Sequence, residues 1–188
     1  MMALDLIKKT YLESEIVMKG DYPYFVNAIS DGNPEITKEL MTELVHAVRS
    51  NSDLDCDLIL APEAMGIPLG TAITMLTGIP FRIIRKRDSQ LPGTFEVEYK
   101  TGYSTAKMYV AAMKPGTRVI VVDDVFSTGG TIKALVNALR EHDIIVKEII
   151  VILNKCPDID AASKELDVPI THILDVTVVD GKPALRIP

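Results

Sequence analysis

Asp123 and Asp124 stand side by side after four β-branched apolar residues, Val119 to Val122, and ahead of Val125-Phe126-Ser127-Thr128-Gly129-Gly130-Thr131. When ionised, two adjacent carboxylates only accept hydrogen bonds, so they suit the hydroxyl pair of a ribose or a magnesium shell better than a triphosphate. The residues behind them suit an anion. Gly129 and Gly130 let the backbone come close to a phosphate, Ser127, Thr128 and Thr131 add hydroxyl donors, and the start of a following helix presents unpaired N–H groups. The loop lacks the lysine of GxxxxGK[ST], which excludes a Walker A motif. A lone Gly-Gly reads as a βα turn and a lone Asp pair as a solvated strand end. Apolar strand, carboxylates, hydroxyl-glycine loop and amphipathic helix in that order read as a holder for a sugar phosphate.

Positioning these groups requires a strand over 119–122 and a helix that begins at Thr131. The run 119–122 suits a strand covered on both faces, as in a parallel sheet. From Thr131 to about Glu141, Ile132, Leu135, Val136 and Leu139 fall on one stripe that faces such a sheet. The rest of the chain alternates in the same way. Helices are expected over 4–15, 35–50 and 159–167, with another running from the Glu63 loop to a C-cap near Gly78. Strands are expected over 58–61, 79–84, 144–153 and 170–175. Residues 95–99 and 107–112 pair as a hairpin beyond the core, and a closing hairpin turns at Asp180-Gly181. The polar and aromatic segment 19–34 carries no assigned element. The fold class is α/β, a mainly parallel central sheet with flanking helices. Open sheets of this kind bind ligands beyond the carboxyl ends of their strands, so the loops after 61, 84 and 122 should converge.

The signature at 119–131 resembles the phosphoribosyl-diphosphate motif of type I phosphoribosyltransferases. Glu63-Ala64-Met65-Gly66 resembles that family's pyrophosphate loop, and Ile84-Arg85-Lys86-Arg87 with Leu91-Pro92-Gly93 resembles the start of the adenine-type flexible loop. The likeness covers roughly residues 20 to 155 and implies one domain over 1–188. Within it lie an N-terminal hood over 1–34, a core over about 35–175 and a flexible loop over 85–106. The resemblance implies that Ser127 to Thr131 bind the 5′-phosphate and that Asp123 and Asp124 orient the ribose. It implies that N–H groups of residues 64–66, Mg²⁺ held mainly on the substrate, and the cations Arg85, Lys86 and Arg87 neutralise the pyrophosphate. Glu63 would brace its loop through backbone N–H groups. The basic run, followed by Asp88-Ser89-Gln90, reads as a lid that keeps water from the activated sugar.

For the acceptor base, the resemblance points to Val125 or Phe126 and to the hood, where Tyr22, Tyr24 and Phe25 could stack and Asn27 could read a base edge. Ser127 stands where hypoxanthine-guanine enzymes of the classical kind carry an aspartate. Met65 stands where adenine enzymes usually carry an arginine, and Gly102-Tyr103 replaces their Glu-Tyr pair, with Glu98 a substitute only in another register. The combination looks most like the archaeal hypoxanthine/guanine phosphoribosyltransferases on an adenine-type frame. The expected reaction is Mg²⁺-dependent transfer of phosphoribose to a 6-oxopurine in purine salvage, giving IMP or GMP and pyrophosphate. Transfer to adenine, and a non-catalytic sensor of the donor, remain the alternatives. The family's habit implies a homodimer.

The 188 residues suffice for one domain with a substantial core. A formal charge of −6 disfavours a dedicated nucleic-acid binder. No apolar run approaches the ~18 residues of a membrane span, and Met1 to Lys9 lacks the pattern of a signal peptide, so a cytoplasmic protein is expected. Cys56 and Cys156 have no zinc-type spacing and read as reduced structural thiols.

Overall fold

The computed structural model describes residues 4–26, 28–31, 35–100 and 105–186. In chain order the elements are α1 (Asp5–Leu12), β1 (Glu15–Lys19), β2 (Tyr22–Val26), α2 (Ala28–Asp31), α3 (Lys38–Asn51), β3 (Leu58–Pro62), α4 (Gly66–Thr77), β4 (Phe81–Ile84), β5 (Phe95–Lys100) and β6 (Thr105–Val110). Then come β7 (Arg118–Phe126), α5 (Gly130–Glu141), β8 (Ile145–Asn154), α6 (Ile159–Leu166), β9 (Ile170–Val179) and β10 (Lys182–Leu185).

Six strands form one sheet in the order β10-β9-β8-β7-β3-β4. All its pairings are parallel except β10 with β9. The centre is β7, where Val119 to Val122 are each no more than 1 % exposed. Alternate side chains of β7 feed two cores. Ile120 and Val122 pack with α3 and α4 residues such as Leu44, Val48 and Leu69. Val119 and Val121 pack with Leu135, Val136 and Leu139 of α5. This is the expected α/β architecture, and the stripe read from the sequence is the buried face of α5. Among the described residues, no helix is long and apolar enough to cross a membrane.

The segment after α1 departs from expectation. The first helix stops at Leu12, and β1 and β2 form a separate two-stranded antiparallel sheet. Its two-residue turn is Gly20-Asp21, between the paired residues Lys19 and Tyr22. The Gly-Asp pair is a hairpin turn signal, but the short, largely solvated strands beside it carry little periodicity. The hairpin is anchored through Tyr11, which is 1 % exposed and meets Phe25 edge-on at 5.1 Å. The Tyr11 hydroxyl donates to the Thr177 carbonyl at 2.7 Å, and burial raises its pKa to about 12.

Two further corrections concern the sheet and its outlying hairpin. β9 runs on past the expected end at 175 to Val179 and then makes the expected closing hairpin through Asp180-Gly181 into β10, so the sheet extends to Leu185. The β5–β6 pair does not lie beyond the core. Val97, Met108 and Val110 are buried among α5 residues, and Phe95 stacks on the His142 ring with centroids 3.7 Å apart. Both cysteines are free thiols, and burial raises that of Cys56.

Candidate active site

β7 carries its pairing through Phe126, so Asp123 and Asp124 belong to the strand rather than to the loop after it. Successive strand residues project to opposite faces. At the strand's carboxyl end both nonetheless border one cavity of about 350 Å³. Asp124 is 7 % exposed, and its backbone N–H donates to Asp123 Oδ1 at 3.0 Å. Burial, and after it the neighbouring charge of Asp124, push the Asp123 carboxyl well above the usual carboxylate range, while the Lys86 charge acts the other way. Burial beside Asp124 thus favours the protonated form of Asp123. A bound cation, or a sugar that becomes cationic, favours the ionised form instead.

The same cavity is bordered by Glu63, Ala64 and Met65 from the end of β3, by Lys86 from the end of β4 and by Thr131. The three loops expected to converge do converge here. Glu63 acts as a brace: its N–H donates to the Ile84 carbonyl at 2.8 Å, and its Oε2 accepts from the Lys86 N–H at 2.8 Å. The Glu63–Ala64 peptide is cis. The root of the basic loop is pinned to β6 by reciprocal backbone bonds between Arg85 and Tyr109, of 3.0 and 2.7 Å. Arg85, Lys86 and Arg87 surround an adjoining cavity of about 530 Å³ together with Glu63.

Two helices begin at the site, and neither has a side chain capping its amino end. α4 starts at Gly66 behind Met65, and α5 starts at Gly130 behind Gly129. By contrast α3 is capped by Thr37 and α6 by Asp158. First-turn N–H groups without a side-chain acceptor are what an anionic ligand requires. Gly66 is needed for the fit, because a Cβ there would lie 2.6 Å from the Val122 carbonyl oxygen. Gly129 has φ +73°, and a Cβ would meet the Phe126 ring at 2.9 Å. Ser127, Thr128, Gly129, Gly130 and Thr131 line a second cavity, of about 150 Å³, together with Val125, Phe126, Tyr22 and Tyr24.

The aromatic wall thus consists of Tyr22 and Tyr24. Phe25, expected beside them, is 3 % exposed and packs inward on Tyr11. Asn27 lies outside the described residues, as do Gly102 and Tyr103. Glu98 is paired in β5 opposite Lys107.

Lys155 escaped the sequence reading. Its N–H donates to the Phe126 carbonyl at 2.7 Å, which puts it beside the end of β7. Its Nζ donates to the Pro23 carbonyl at 2.7 Å and lies 4.1 and 4.4 Å from the Tyr22 and Phe25 ring centroids. Burial lowers its pKa to about 8. Arg186 fixes the backbone here by donating to the carbonyls of Lys155, Cys156 and Val176 at 2.7–3.1 Å. The available signal was its place after β8, because carboxyl ends of parallel strands are where ligands bind.

A parallel sheet with two uncapped helix starts, an acidic strand end and a basic loop root is an arrangement suited to a phosphorylated ligand. Residues 33–178 match the phosphoribosyl transferase domain, and the chain belongs to this family. It is 42% identical over 175 residues to a hypoxanthine/guanine phosphoribosyltransferase from Methanohalophilus mahii, covering 93% of this chain and 92% of that one. It is 44% identical over 149 residues to one from Methanocella paludicola, covering 79% and 78%. Among solved structures it resembles adenine phosphoribosyltransferase from Thermoanaerobacter pseudethanolicus, with a TM-score of 0.73, 24% identity, and 92% and 99% of the two chains covered. That likeness bears on the fold alone.

Proposed function

We propose that this phosphoribosyltransferase serves purine salvage by moving phosphoribose from phosphoribosyl diphosphate to hypoxanthine or guanine. The bond from ribose C1 to the diphosphate oxygen breaks, a bond from C1 to a ring nitrogen of the base forms, and that nitrogen gives up its proton. Products are IMP or GMP and pyrophosphate. The carrying observation is the convergence of two uncapped helix starts on Asp123 and Asp124.

In this reading, N–H groups at the start of α5 and the hydroxyls of Ser127, Thr128 and Thr131 hold the 5′-phosphate. The carboxylates of Asp123 and Asp124 accept from the ribose hydroxyls and stabilise positive charge as it grows on the ribose. N–H groups of residues 64–66 with Arg85, Lys86 and Arg87 take the departing diphosphate. Fixed donors of this kind are commonly worth about 10² or more in rate each. Among the described residues no three His, Cys, Asp or Glu side chains gather into a metal cage. Asp123 and Asp124, which border the cavity, are the carboxylates that would meet Mg²⁺ arriving on the diphosphate. Bound there, the cation would neutralise the leaving group's charge.

Relatives named hypoxanthine/guanine phosphoribosyltransferase support a 6-oxopurine. So does Lys155, a donor beside the aromatic wall: it fits the 6-oxo acceptor of hypoxanthine, whereas the 6-amino group of adenine is itself a donor. The reading includes a cytoplasmic setting, supported by the two free cysteines. It also includes a homodimer. Helix α4 contains no charged residue, yet Met75 is 81% and Leu76 54% exposed, which supports burial against the same uncharged face of a second copy.

The test offers hypoxanthine, guanine, xanthine and adenine with donor and Mg²⁺ and follows pyrophosphate release. Turnover with hypoxanthine and guanine, cut at least about 100-fold in Asp124→Asn, is expected. Preference for adenine refutes the base assignment. Tight donor binding without turnover on any base indicates a sensor.

A further inference from the structure

Lys155 stands where the sheet stops supporting the chain. The ladder between β8 and β9 closes with the pair Asn154 and Asp175. From there β9 runs on to Val179, whereas the chain after Asn154 leaves the sheet towards α6. The N–H of Lys155 still finds the Phe126 carbonyl at the end of β7. The carbonyls of Lys155 and Cys156 lie past the last ladder pair, on residues that are half-buried. Polar backbone groups in such a place need another partner.

Arg186 supplies that partner. It follows β10, and its own N–H donates to the Asp175 carbonyl at 2.9 Å. Because β9 lies between β10 and β8, the guanidinium reaches over β9 to the end of β8. Nη1 donates to the Cys156 carbonyl at 2.7 Å, and Nη2 donates to the carbonyls of Lys155 and Val176, each at 3.1 Å. The Cys156 N–H donates to Asn154 Oδ1 at 2.9 Å. Asn154 is 1 % exposed, and its Nδ2 donates to Asp175 Oδ1 at 2.7 Å. The N–H and carbonyl groups of both Lys155 and Cys156 thus all have fixed partners. A rigid planar fork can hold several carbonyls at once, which the point charge of a lysine on its flexible stem cannot do.

We propose that Arg186 is a positioning residue for the purine base: acting through the backbone of Lys155 and Cys156, it sets where Lys155 presents its ammonium beside the aromatic wall. This rests on the reading above in which Lys155 meets the 6-oxo group. The Lys155 side chain is long and flexible, so the aim of Nζ depends on how firmly its Cα is held. Arg186 lies 31 positions from Lys155, on the far side of β9. It touches neither base nor donor in this scheme, and the effect of losing it reaches the base through Lys155 alone.

A double-mutant cycle on the full chain tests this, with Arg186→Gln, Lys155→Met and the two combined, assayed with hypoxanthine, phosphoribosyl diphosphate and Mg²⁺. Arg186→Gln should raise KM for hypoxanthine by about tenfold, as loss of a hydrogen bond to a charged group does. KM for the donor and kcat at saturating hypoxanthine should each move less than about twofold, the pattern of lost ground-state binding. In the Lys155→Met background, Arg186→Gln should change the hypoxanthine KM by less than about twofold, because residues that act in series are not additive. Arg186→Lys keeps the charge without the fork and should give an intermediate rise. If Arg186→Gln does not fold, Arg186→Lys is put through the same cycle and judged by the same criteria. A variant that lowers Tm but leaves the hypoxanthine KM unmoved, or raises it equally with and without Lys155, would show a structural tie alone and overturn the inference. If Lys155→Met by itself leaves the hypoxanthine KM unchanged, the reading of Lys155 fails and takes this inference with it.

Discussion

Replacing Gly66 by alanine adds one methyl group at the point where α4 meets the sheet. The new Cβ would lie 2.6 Å from the Val122 oxygen, 3.0 Å from Pro62 Cδ and 3.3 Å from the Ala61 carbonyl carbon. The shortest of these is 0.8 Å inside the 3.4 Å at which ordinary contact begins. None of the three atoms ends a flexible side chain. Two are backbone atoms of β7 and β3, and the third belongs to a proline ring, so the amino end of α4 must move instead. Overpacking of this kind costs about 1–3 kcal/mol. In a domain of this size each kcal/mol lowers Tm by about 2–4 °C, so a drop of about 2–12 °C is expected. The functional effect should be larger, since the moving atoms carry the N–H groups assigned to the diphosphate. A shift approaching 1 Å costs about 100-fold in turnover. Calorimetry gives the first quantity, and kcat with KM for the donor gives the second. A Gly66→Ala protein with unchanged Tm and unchanged kcat/KM would refute the close approach and the role given to the α4 start.

Asp123→Asn should separate stability from activity. The folded carboxyl has a raised pKa, so the native state binds its proton more tightly than the unfolded chain, and this contribution is complete below the unfolded pKa and lost as pH rises through the folded one. Denaturant titrations should show stability falling with rising pH more steeply in the wild type than in the variant, with turnover in the variant down at least about 100-fold; parallel slopes would refute the raised pKa. Lys155→Met should raise KM for hypoxanthine about tenfold and leave KM for the donor unmoved, and an unchanged base KM would remove Lys155 from recognition. Because the Lys155 pKa is lowered from 10.5 to about 8, the native state binds fewer protons than the unfolded one between those values. Wild-type stability should therefore gain from Lys155 as pH rises through that window, a gain absent in Lys155→Met. Met75→Lys should convert a dimer to a monomer by light scattering, and a monomeric wild type would refute the α4 interface.

The sheet was legible because its signal is redundant. Val119 to Val122, and the apolar runs in β3 and β8, are covered on both faces and so read as unbroken β-branched or aliphatic stretches. The amino-terminal hairpin was harder, because β1 and β2 are mostly exposed or half-buried and a short solvated strand leaves little periodicity. Phe25 and Tyr24 illustrate the limit. Both are aromatic and adjacent, and only the strand register determined that Phe25 points into the core while Tyr24 faces the cavities.

The amino-acid sequence alone made one local order legible, because strand, carboxylates and hydroxyl-glycine loop follow one another within thirteen residues and a helix begins at their end. What came from the tertiary structure is everything that depends on distant residues meeting. Glu63 braces Lys86 across 23 positions, and Lys155 reaches Pro23 across 132. No local pattern encodes those contacts. They arise because parallel strands bring their carboxyl ends to one edge of the sheet, and because a hairpin anchored by Tyr11 is folded over that edge.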